Sequence, residues 1–98
     1  MPSTIQRTAN MLFALVQNAK TQAIARQNRR VAMDVLQACS LYAKGVNFPC
    51  EPDMFKNLAA SIVDKQNGAI IEEFSQVEKF LANMILSTSH DHWRTMTR

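Results

Sequence analysis

AIIEEFSQVEKFLANMIL, residues 69–86, decides the fold class. Ile70, Phe74, Val77, Leu81 and Met84 recur at steps of three and four, with Ile71 and Ile85 beside them. Because a helix advances about 100° per residue, that spacing gathers these side chains on one face. Glu72 and Glu73 stand in the expected first turn, where a carboxylate favours the helix dipole. The predicted helix covers 69–87. Ser87-Thr88-Ser89 then loses the periodicity, so 89–98 reads as a polar tail open to fraying.

Upstream, Asn67-Gly68 reads as a turn. Before it, Phe55, Leu58, Ala59, Ile62 and Val63 form the stripe of a helix over 52–66, opened by Pro52 and Asp53. Lys44, Gly45, Val46 and Pro49 follow the order of a helix end, Gly45 being the stop. From Ser3 to Lys44 there is neither glycine nor proline. Ser3 and Gln6 form a capping-box pattern before the stripe Ile5, Ala9, Leu12, Phe13, Val16, Ala19, Ala23. A second stripe, Val31, Ala32, Val35, Ala38, Cys39, Tyr42, lies about 120° round from the first. The phase change predicts a break or sharp bend near Gln27-Asn28, since Asn serves as an αL or N-cap residue. One long helix shared with another subunit is the alternative.

Helices over 4–26, 29–44, 52–66 and 69–87 make an all-α chain, a small bundle of about four helices in a single domain over 1–98. Two glycines and three prolines argue against a turn-rich β fold. Ninety-eight residues leave a thin core, so an oligomer, a homodimer or small homo-oligomer, is expected. Met1 to Ala9 has no apolar core of a signal peptide, and the apolar runs are too short for a membrane span. The expected compartment is the cytoplasm, or a host cell's cytoplasm, with Cys39 and Cys50 as free thiols.

Little catalytic chemistry is visible. His90-Asp91-His92 is the only histidine cluster, and a zinc site needs three or four ligands. No histidine lies near Cys50 to serve as its base, and no glycine-rich loop is present to cradle phosphate. The reading is therefore not an enzyme, with no cofactor and no metal.

Charge is the stronger signal. The net charge is +3, but residues 1–50 hold six bases and one acid, and residues 51–98 hold five bases and seven acids. Lys20, Arg26, Arg29 and Arg30 form a basic segment over 20–30 that suits phosphate or carboxylate. Against that stands a solvated bend whose charges are satisfied within the protein. Arg26 and Arg30 fall where the first stripe would bury them, so they must be exposed at a bend or paired with acids such as Glu72 and Glu73. Met11, Leu15, Met33 and Leu41 fall off the main stripes, and Trp93 stands alone in the tail; all five are candidate interface residues. The expectation is a non-catalytic interaction or regulatory protein, such as an adaptor, inhibitor or assembly factor, that binds a protein partner through helical surfaces, an acidic partner suiting the basic segment. The alternative is a nucleic-acid-binding regulator that contacts the phosphate backbone through segment 20–30.

Overall fold

A computed structural model describes the backbone of residues 4–97 and the side chains of residues 4–86. Four α-helices and no strands are present among the described residues: α1 Thr4–Lys20, α2 Arg29–Gly45, α3 Met54–Asp64 and α4 Asn67–Thr97. A single π-helical turn, Thr21–Ala25, extends α1. The all-α class and the number of helices agree with the sequence reading.

The predicted break between the first two helices is present, and its chemistry is local. The Arg26 N–H donates to the Thr21 carbonyl at 3.0 Å, a wide i→i−5 turn, and the Asn28 N–H donates to Gln22 at 2.6 Å. That bond spans six residues, one more than the closing bond of a Schellman motif, and it follows the wide π-turn with Gln27 in the left-handed region at φ 54. Asn28 then caps α2, its side-chain oxygen accepting from the Val31 N–H at 3.3 Å. One residue thus ends one helix and starts the next.

α2 stops at Gly45 as expected, but its turn is made further on. Gly45 is its last helical residue and has no positive φ; the left-handed residue is Asn47, at φ 55. The chain reverses there, and the Phe48 N–H donates to the Ala43 carbonyl at 2.8 Å. Phe48 is buried in the core as a result. Further on, Pro52 lies in the turn ahead of α3, and Asp53 is its N-cap without a side-chain capping bond. Lys65 adopts extended geometry and ends α3. Asn67 and Gly68, expected as the turn, are instead the first two residues of α4. Glu72 and Glu73 consequently fall in its second turn. At its far end, α4 runs ten residues past the expected stop at 87. No glycine or proline follows Gly68, so losing the apolar stripe does not end the hydrogen-bonded ladder.

The helices form two hairpins. α1 packs on both α2 and α4, α2 packs on α3, and α3 meets α4 over a shorter stretch. Leu12 and Val16 of α1, Leu36 of α2, Phe55 and Ile62 of α3, and Phe74 and Leu81 of α4 build one core. Each large side chain of this kind contributes about 1.5–3 kcal/mol on burial. In α2 the buried stripe is Ala32, Leu36, Cys39 and Ala43, rotated from the expected one. Val31, Ala38 and Tyr42, expected inside, are exposed, and Val35 is half-buried. Ile5 and Val63, also expected inside, are exposed.

Candidate interaction surfaces

The basic segment separates into two kinds of residue. Lys20 Nζ reaches Glu78 Oε1 of α4 at 3.1 Å, and Gln17 donates to the other oxygen of that carboxylate at 2.7 Å. Arg29 Nη1 donates to the Ile62 carbonyl at 3.1 Å, and Nη2 to Asn67 Oδ1 at 3.5 Å. Lys20 therefore joins α1 to α4, and Arg29 joins the start of α2 to the end of α3 and the start of α4. Part of the charge asymmetry is satisfied inside the molecule. Arg26 and Arg30 are exposed beside the bend, and neither has an ion pair among the described residues. Glu73, one of the acids expected to pair with them, holds Lys65 at 2.7 Å instead.

The four candidate interface residues with described side chains also divide. Leu41 is 72% exposed and Met11 is 37% exposed. Leu15 and Met33 are half-buried against the core. Trp93 falls on the last turns of α4, and its side chain lies outside the described residues.

Helical phase places these residues on definite edges. On α1, Gln17 and Lys20 mark the side that faces α4. Met11 and Leu15 are roughly 160° from that mark, on the side toward α2. On α2, Arg29 marks the side that faces α3. Val31, Val35, Ala38 and Tyr42, at i, i+4, i+7 and i+11, lie away from it, on the side toward α1. The α1–α2 seam is thus flanked by an apolar strip in which Met11, Val31 and Tyr42 are exposed. Sequence reasoning missed Val31 and Tyr42 because it assigned them to the core. The omitted Leu36 was the signal: centring the stripe on it turns Val31 and Tyr42 outward.

A second surface lies where α3 and α4 diverge. There a groove of about 280 Å³ is floored by Met54, Leu58, Val77 and Phe80 and rimmed by Glu51 and Glu73. Among the described residues no lysine or arginine lines it. Phe80 is 36% exposed and was assigned to no stripe.

The two thiols are free. Burial pushes Cys39 up to about 11 and raises Cys50 above its ordinary value. No group of three His, Cys, Asp or Glu among the described residues could hold a metal ion. The His90-Asp91-His92 side chains lie outside the described residues. No described helix is long and apolar enough to cross a membrane. Comparisons with protein-family models, curated proteins and solved structures gave no match to this chain.

Proposed function

We propose that this chain is a non-catalytic interaction protein that forms a homodimer or small homo-oligomer and binds a partner protein through its helical faces. The observation that carries this reading is the apolar strip along the α1–α2 seam. Met11, Val31 and Tyr42 are exposed there over half-buried Leu15 and Val35. Asn18 and Gln22 extend the α1 edge with uncharged amides. An apolar face of this kind can meet a copy of itself, and a two-fold contact requires a self-complementary surface. Aromatic and methionine side chains suit the centre of such a contact. The thin core of a 98-residue chain adds to the case, since association supplements burial at this size. Solution mass of the wild type and of a Met11→Ser/Tyr42→Ser variant tests it.

A second reading, backbone binding to a nucleic acid, is favoured by Arg26 and Arg30, which are exposed beside the bend without acid partners among the described residues. Lys20 and Arg29 are already engaged within the fold. Two free arginines correspond to a log–log salt slope of only about −1.8 on duplex DNA, well short of binders with six or more phosphate contacts. A low-salt gel shift with duplex DNA, duplex RNA and single strands tests this reading. Retardation abolished by Arg26→Gln/Arg30→Gln would favour it over the first; no shift with any of the three removes it.

A further inference from the structure

We infer that the groove between α3 and α4 is a docking site for a cationic amphipathic helix of a partner protein. The inference rests on the reading of the chain as an interaction protein and adds the chemistry of what it binds. Two ridges line the groove. Met54 and Leu58 are spaced i, i+4 on α3, and Glu73, Val77 and Phe80 are spaced i, i+4, i+7 on α4. Side chains at these spacings make a trough that accepts a third ridge of the same period. From Glu73 to Phe80 is seven residues, or about 10.5 Å, which is two turns of a docked helix.

The groove's volume of about 280 Å³ falls just below the roughly 300–1,000 Å³ that small-molecule ligands occupy. It is also an open groove with an apolar floor, suited to two or three side chains of a docking segment. The short α3 explains the opening: it has 11 residues against 31 in α4, and it meets α4 over less length than α1 does.

Charge selects the occupant. Glu51 stands ahead of the first residue of α3, while Glu73 is tied to Lys65 just beyond the last. The two carboxylates therefore bracket the floor from opposite ends, and among the described residues no base lines the groove to neutralise Glu51. Lysine or arginine flanking an apolar anchor on the incoming helix would meet both. An acidic helix would meet like charge at the Glu51 end and find the Glu73 carboxylate already held by Lys65. The net charge of +3 makes the assignment sharper, because general attraction would favour an anionic segment. Binding of a cationic one has to come from these local groups.

The test uses the full chain and two synthetic helical peptides of about 18 residues, five turns each. Both carry the same leucine face; one has a lysine polar face and the other glutamate. Amide shifts of the protein are followed during titration. The lysine peptide should bind and perturb Met54, Leu58, Val77 and Phe80, with the glutamate peptide at least about tenfold weaker, ~1.4 kcal/mol. Glu51→Lys, at an exposed residue outside the helices, should reduce lysine-peptide affinity while the spectrum remains folded. Phe80→Ser should do so without the change of charge. Equal binding of the two peptides would overturn the inference. So would perturbations confined to the α1–α2 seam, or no perturbation up to about 1 mM peptide. If these fail while the seam variants still change the solution mass, the groove assignment alone is wrong.

Discussion

Arg29 and Ile62 are joined across the bundle, the arginine Nη1 donating to the isoleucine main-chain carbonyl at 3.1 Å. Ile62 lies in the last turn of α3, where carbonyls lack helical partners, and a cation at that end also favours the helix dipole. Arg29 therefore holds the two hairpins together, whereas its basic neighbours face solvent. Replacing Arg29 with alanine should destabilise the fold by about 1 kcal/mol, the value for a charged donor reduced for its solvent exposure. That corresponds to a urea midpoint lower by roughly 0.5–1 M. Arg26→Gln and Arg30→Gln should each stay within about 0.5 kcal/mol of wild type. Equal losses at all three positions would contradict the division.

The bend is open to a second test. Gln27 holds φ 54, a region that costs a side-chain-bearing residue roughly 1 kcal/mol or more. Gln27→Gly should raise the melting temperature, since glycine adopts this conformation without a Cβ penalty. Asn28→Ala should lower it, because the cap on the Val31 N–H is worth about 1 kcal/mol. Thermal unfolding followed by circular dichroism reads both. The opposite signs at adjacent residues are the diagnostic result.

How much of this was legible in the sequence depended on the kind of signal. Four helices could be read because steps of three and four persist in each segment, and the bend because the stripe changes phase between Ala23 and Val31. The turn residues were harder. Gly45 and Asn67-Gly68 resemble stops, yet Asn47 and Lys65 make the turns, because tertiary packing of Phe48 and the α3–α4 hairpin decides where the chain reverses. The phase of α2 was missed for a similar reason. Val31, Val35 and Tyr42 compete with Leu36 for the core, and only the packed neighbours α1 and α3 resolve the competition. The basic segment was visible as a cluster. Its division into tied and free residues was not, because Glu78 and the Ile62 carbonyl are distant in sequence.

Cys39 gives a pH-dependent prediction with a definite sign. Its folded-state pKa of about 11 stands above the ordinary 9.0, because burial disfavours the thiolate. Below pH 9 both states hold the proton and the residue has no effect. Between pH 9 and 11 the unfolded state loses it and the folded state keeps it, so stability falls as pH rises, by about 1.4 kcal/mol per unit at most. Cys39→Ala should flatten that part of the stability–pH curve. Under native conditions a thiol reagent should modify half-buried Cys50 faster than fully buried Cys39.

Light scattering across a micromolar concentration series tests the central claim most directly, namely that the seam strip is a binding face. The account predicts that the wild type approaches at least twice its 11.1 kDa chain mass, and that Met11→Ser/Tyr42→Ser returns it to 11.1 kDa with its helical content intact. A wild type that stays at 11.1 kDa throughout, or an assembly unchanged by the double substitution, would contradict it.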